Sequence, residues 1–170
     1  MSSVTIRALA PPDEPFLWEM LYEALFVPPG AAPLPREIIQ QPEIARYVAG
    51  WGRVGDSGFM AADELSQQRI GAVWIRRFTA AQPGYGFVND ATPELTIALL
   101  PDWRGRGAGG QLITAMLTAA RHAYAAVSLS VSAANPARRL YERCGFVTEK
   151  IEGESLTMCC RFQHDVSYRG

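Results

Sequence analysis

Lysine is nearly missing from this 170-residue chain: Lys150 is the only one, and arginine makes up the rest of its sixteen basic side chains. A phosphate loop of the Gly-Lys-Ser/Thr kind is therefore excluded, because no lysine follows a glycine-rich turn. Positive charge in excess is also missing. At a net charge of −1 the chain does not bind nucleic acid through overall charge, since neutralising phosphates needs a strong Lys/Arg surplus. Any anion site must be local. No run approaches the roughly 20 apolar residues of a membrane span, and the opening MSSVTIRALAPPDE has no apolar signal-peptide core. The expected location is the cytoplasm, with no membrane partner. Cysteines number only three, Cys144, Cys159 and Cys160, without metal-ligand spacing, and adjacent cysteines pair poorly. They are expected to be reduced, mostly buried thiols, and no metal is expected. Histidine is scarcer still: His122 and His164 are the only two, and neither stands in a context that suits the base of a cysteine nucleophile.

The chain is instead rich in apolar residues, at 48% against 19% charged, enough for a sizeable core in one domain spanning 1–170. SVTIRAL (3–9) alternates like a half-buried strand, and PPDEP stops it, with Asp13 placed to cap a helix over 16–26. Trp18, Tyr22 and Phe26 recur every four positions, a spacing that core packing explains. VPPGAAPLP (27–35) is a proline-rich loop, and 36–50 reads as a second, broken helix. Strands are predicted over 58–63 and 69–78, then a Gly/Pro/Asn-rich loop over 79–93 and a strand over 94–100 that is apolar on both faces. A long amphipathic helix over 107–124 follows, then VSLSV (127–131) with its serines on one face. NPARRLYERCG (135–145) is a short helix, with Asn135 at its start and Gly145 at its left-handed stop. Two strands, FVTEKI and ESLTMCCRF, complete an α+β order with a mixed sheet.

RGRGAG (104–109) opens the long helix directly after a strand. Helix N-termini carry unsatisfied N–H groups and a partial positive charge, glycine allows close approach, and Arg104 and Arg106 add full charges. The turn suits a phosphate or pyrophosphate. Arg121, Arg138, Arg139 and Arg143 fall in the same stretch and add to its basic character. A bland alternative is a glycine-rich turn with two solvated arginines. Gly105, Gly107 and Gly110 also fit a dinucleotide fingerprint, but that needs an opening βαβ unit, and here about 100 residues of other elements come first.

Arg104-Gly105-Arg106-Gly107-Ala108-Gly109, after LLPDW, resembles the acyl-CoA pyrophosphate loop of the GCN5-related N-acetyltransferases. VSLSVSAANPARRLYERCGFV resembles that family's second signature, with its Asn-Pro-Ala helix start and Leu-Tyr-Glu-x-x-Gly-Phe. The resemblance implies a mixed, mostly antiparallel sheet flanked by helices, and acetyl-CoA as acyl donor. It assigns the pyrophosphate to the backbone of Arg104, Gly105, Arg106, Gly107, Ala108 and Gly109, with Gly110 close by. Backbone groups around Leu99 and Leu100 would hold the pantetheine arm, and Asn135 would lie near the cosubstrate. Tyr141 matches the family's acid for the departing thiolate, although Ala137, Tyr141 and Cys144 also form an ordinary core stripe. Glu94 stands where some members carry their base, against a solvated strand-end carboxylate. The implied activity is acetyl transfer to a primary amine by direct attack, with a small molecule favoured over a protein as acceptor. The loops 27–35 and 82–90 border the expected pocket, and residues 10–55 carry no recognisable signature. The rival readings are an acyl-CoA sensor without chemistry and a nucleotide-binding protein of another fold. Family members are often dimers, and ESLTMCCRF is the expected contact with a second copy.

Overall fold

The computed structural model describes residues 3–163. Val4–Ala8 form β1, Glu14–Ala24 form α1, and a 3-10 turn over Arg36–Gln40 runs into a single helical turn, α2, Pro42–Ala45. Pro42 after Gln41 breaks the second helix, as the sequence suggested. Then follow β2 (Ser57–Asp63), β3 (Arg69–Arg76), β4 (Glu94–Leu99), α3 (Ala108–Ala120), β5 (Ala126–Ser132), α4 (Arg138–Arg143), β6 (Val147–Glu152) and β7 (Ser155–Arg161). The sheet order is β1-β2-β3-β4-β5-β7-β6, antiparallel throughout except for β4 and β5. That mixed order excludes a doubly wound dinucleotide fold, whose strands run parallel.

Alternation along the central strands divides the core into two layers. Leu95, Val127, Leu129 and Val131 pack with Leu112, Ile113 and Met116 of α3 on one face. Trp74 and Ala98 pack with Leu17, Met20 and Leu21 of α1 on the other. Two expectations need correction. Asp13 does not cap α1 with its side chain; its carboxylate accepts two hydrogen bonds from Arg7, at 2.9 and 2.8 Å, and one from the Ala10 amide. The long helix ends at Ala120 rather than 124, because residues 121–123 close as turns. ESLTMCCRF forms β7 between β5 and β6, so both its ladders are filled, and the open edges of the sheet are β1 and β6. The three cysteines are free, with Cys159 and Cys160 buried; burial pushes all three thiols up, which keeps them protonated and inert.

Arg76 is an arginine at 1% exposure. Its guanidinium donates to both Asp56 carboxylate oxygens, at 3.0 and 2.8 Å, and to the carbonyls of Arg46 and Ala49. These bonds fasten the segment after α2 to the sheet. Trp74 assists, its indole N–H donating to the Tyr47 carbonyl at 2.9 Å. Removing one partner of a buried ion pair strands the other charge. Asp56→Ala should therefore lower unfolding free energy by about 3–5 kcal/mol in urea titration, whereas a surface pair such as Arg138–Glu142 should give under about 1 kcal/mol.

Candidate active site

The parallel strands β4 and β5 share one paired position, Glu94 with Ser128. Beyond it they part, and a cavity of about 180 Å³ runs between them. Its lining comes from both core layers: Tyr141, Leu129 and Val131 from the α3 side, and Leu21, Ile44 and Tyr47 from the α1 side. The opening passes through the sheet.

Leu100 donates its N–H to the Ile70 carbonyl of β3, so it is unavailable to a ligand in the gap. Antiparallel alternation then turns the backbone groups of Ile97 and Leu99 toward β5. Ile97 and Leu99, rather than Leu100, thus turn their backbone groups into the gap. The Leu99 carbonyl accepts from Arg104 Nε at 3.2 Å.

Gly105 and Gly107 take φ of 72° and 91°, and open space surrounds the position of a Cβ at each. Among the described residues the amides of Gly105 to Gly110 donate to no protein acceptor. They form a row of free donors at the start of α3, exposed over Gly105 to Gly107 and buried at Ala108 and Gly109. The two arginines differ. Arg104 turns away from the donor row and pairs with Glu23 at 3.0 Å, also donating to the Glu23 carbonyl, so it clamps the end of α1 to the turn. Arg106 is exposed, with its guanidinium 4.9 Å from the Trp103 ring centroid. Of the more distant arginines, Arg121 lies over Phe162 and Arg138 pairs with Glu142.

Asn135 lines the cavity, and its side chain accepts from the Ala137 amide at 2.9 Å; because α4 begins at Arg138 with Ala137 at its N-cap, Asn135 braces the turn before the helix rather than capping it, contrary to the sequence expectation. Tyr141 is buried, edge-on to Phe146 at 6.1 Å, and lines the same cavity. Burial pushes its hydroxyl up to about 12, so it stays protonated at neutral pH. His122 is exposed on the surface, and His164 lies outside the described residues.

Glu94 is not a solvated strand end: it is 3% exposed. Its Oε1 accepts from the Tyr47 hydroxyl at 2.5 Å and from the Gly86 amide at 2.8 Å. Its Oε2 is buried without a partner among the described residues. Desolvation pushes the carboxyl up to about 7, against the pull of those two bonds. The loop carrying Gly84, Tyr85 and Gly86 lies directly on it. A Cβ at Gly84 would stand 2.0 Å from Oε2, and one at Gly86 would strike the β5 backbone at Leu129 and Ser130, so neither position tolerates a side chain. Ser128 Oγ donates to the Gly86 carbonyl at 2.7 Å and ties the loop to β5. Tyr47, Gly84 and Gly86 were not singled out from sequence; the available signal was the Pro-Gly-Tyr-Gly run ten residues before Glu94.

Comparison with known proteins adds three findings. The family model of the acetyltransferase (GNAT) domain matches residues 55–148, just over half of the chain. No curated protein matches it in sequence. Among solved structures it resembles a protein of Acinetobacter baylyi described as an acetyltransferase, at TM-score 0.69 and 16% identity over 95% of this chain and 93% of that one. It also resembles yncA of Salmonella typhimurium with its cofactor acetyl-CoA (TM-score 0.67, 17% identity, 96% of each chain), and the spermidine/spermine N-acetyltransferase SpeG of Vibrio cholerae (TM-score 0.58, 22% identity, 93% and 92%). At these identities the likeness is one of fold.

A carboxyl raised from 4.5 to about 7 binds more protons folded than unfolded across that interval. Its contribution to stability is full below about 4.5 and is lost as pH rises through 7. The difference in Tm between the wild type and Glu94→Gln should accordingly shift against the wild type between pH 4.5 and 7.5, then level off; scanning calorimetry across that range checks it, and a pH-independent difference would contradict the assignment.

Proposed function

Because the chain belongs to the GNAT acetyltransferases, which are acyl-CoA-dependent N-acetyltransferases, we propose that it acetylates the primary amine of a small molecule by direct attack in a ternary complex, with Glu94 as base and Tyr141 as acid. The observation that carries this reading is that a buried carboxyl near 7 and an un-ionised phenol line one cavity through the parted sheet.

The donor row from Gly105 to Gly110 fits the pyrophosphate of acetyl-CoA, with Arg106 free to add charge and Arg104 holding the turn in place. The gap beside Ile97 and Leu99 fits the pantetheine arm, with an edge N–H placed to polarise the thioester carbonyl. Asn135 borders this path. Glu94 takes a proton from the acceptor's ammonium, and the freed amine attacks the carbonyl carbon. The C–N bond forms, the C–S bond breaks, and Tyr141 donates its proton to the departing thiolate. Full transfer to a free thiolate is uphill, because an ordinary thiol ionises near 8.5 and the buried phenol near 12, so the hydroxyl serves by bonding the charge that builds on sulfur as the C–S bond breaks, and the phenolate regains its proton from the nitrogen of the newly formed amide. The cytoplasm, where acetyl-CoA is made, is the proposed location.

The walls on the acceptor side are Leu21, Leu25, Phe26, Ile44 and Tyr85, and Glu94 is the one carboxylate among the lining residues. A polycation finds a single counter-charge there. This favours an amine carried on an apolar or aromatic body over a polyamine such as spermidine.

Two outcomes are expected. Tyr141→Phe should lower kcat about 100-fold with the acetyl-CoA Kd from calorimetry changed less than about twofold, which separates an enzyme from a sensor that only binds. In a panel monitored by CoA thiol release, phenylethylamine should exceed spermidine in kcat/KM by about tenfold or more, the order of discrimination an apolar pocket supplies; the reverse order would overturn the acceptor assignment while leaving acetyl transfer intact.

A further inference from the structure

Glu94 lines the cavity, yet neither of its carboxylate oxygens is open to an acceptor. Oε1 already holds two donors, and Oε2 is buried under Gly84, at a distance that leaves no room even for a methyl group. The carboxylate is, however, hydrogen-bonded to the hydroxyl of a second residue that lines the cavity, Tyr47. A phenol oxygen has one proton and two lone pairs. The Tyr47 proton goes to Glu94 Oε1 at 2.5 Å, and one lone pair accepts the Tyr85 amide at 2.7 Å. The second lone pair has no partner among the described residues.

Resting on the reading of Glu94 as base, we infer that Tyr47 is a second catalytic residue, the relay through which the acceptor's proton reaches Glu94. The ammonium N–H bond breaks as an O–H bond forms on Tyr47 Oη. In the same motion the original Tyr47 O–H bond breaks and an O–H bond forms on Glu94 Oε1. The amine becomes neutral, Glu94 becomes a neutral acid, and Tyr47 ends as the phenol it began as. The hydroxyl needs no ionisation of its own, in keeping with burial and the adjacent carboxylate, which push it far up.

The surroundings fix this geometry from every side. The Tyr47 backbone is held by the Trp74 indole, and its ring packs edge-on to Phe78 at 5.0 Å and parallel to Tyr85 at 6.4 Å. The Tyr85 amide orients the lone pairs, so the hydroxyl proton points at Glu94 rather than into the cavity. The ionisable groups near Glu94 are Tyr47 after α2, Tyr85 on the loop, Tyr141 on α4 and Arg76 opposite it on β3. Arg76 directs its guanidinium to Asp56 and two carbonyls. Tyr47 is therefore the group among these that bonds Glu94 directly.

The test compares kcat/KM against pH for the wild type, Tyr47→Phe, Glu94→Gln and the double variant, using a monoamine the enzyme acetylates, with acetyl-CoA affinity and circular dichroism confirming that each variant folds. The wild type should show a limb rising through about pH 7. In Tyr47→Phe that limb should vanish, leaving only the rise set by the amine's own ionisation, and kcat/KM at pH 7.5 should fall about 100-fold. Glu94→Gln should behave alike, and the double variant should lose no more than either alone, because one path is cut twice. A merely structural Tyr47 gives another result: the limb persists, moved to higher pH by loss of a bond that lowers the Glu94 pKa, and the relay is overturned. If Glu94→Gln itself keeps the wild-type limb, the base assignment falls and the relay with it.

Discussion

β4 and β5 run side by side as parallel strands for a single paired position, and the separation after it is the feature on which the site depends. Backbone groups at a parted edge would ordinarily be a liability, since unpaired N–H and C=O groups cost free energy unless water or a ligand satisfies them. The fold keeps the strands apart by fastening each to other partners: β4 is fully laddered to β3, and β5 to β7. The gap therefore stays open without a ligand to hold it. It is also where the two core layers meet, so groups from opposite faces of the sheet reach one small space. Tyr141 arrives from the α3 layer and Glu94 with Tyr47 from the α1 layer.

The short-range parts of this arrangement were visible in the sequence. A glycine-rich turn needs only its own residues to present donors, and Asn-Pro-Ala closes its own turn within three positions, through the Asn135 side chain and the Ala137 amide. Period-two alternation likewise put the serines of β5 on one face, where Ser128 meets the loop and Ser130 and Ser132 line the cavity. Tyr47 was illegible because its partner lies 47 residues away and its segment, one turn of helix after a 3-10 turn, has no periodicity that singles out a side chain. Arg76 is a different case. Alternation in RIGAVWIRR places it on the face of Trp74, a position that only a satisfied charge can occupy, but the satisfying carboxylate and carbonyls come from a loop with no pattern.

Leu100 shows how a strand's hydrogen-bond phase escapes a reading by composition. Leu99 and Leu100 are chemically alike, yet one faces the gap with its backbone and the other is committed to Ile70. That phase is set by which residues of β3 lie opposite, through the register of Gly71 with Leu99. A side chain at Gly71 would strike Leu99 and the Ala98 carbonyl, so the bare glycine fixes how closely the two strands meet.

The proposed chemistry asks two opposed things of Glu94, and the loop over it reconciles them. A carboxylate with its ordinary pKa near 4.5 is a poor base for an ammonium, whereas one raised to about 7 lies nearer the amine and can exchange protons at neutral pH. Raising it requires removing water, and complete removal would leave an ionised group too costly to form. Gly84 excludes water from Oε2, while Tyr47 and the Gly86 amide stabilise the charge on Oε1. One oxygen is thus desolvated and the other is bonded, which sets the carboxyl between a surface acid and a buried neutral one. The residues that do this, Gly84 through Gly86, belong to the same loop that ties β5 in place through Ser128. The tuning of the Glu94 carboxyl and the opening of the cleft consequently depend on one structural element, and a change that loosens the loop must alter both.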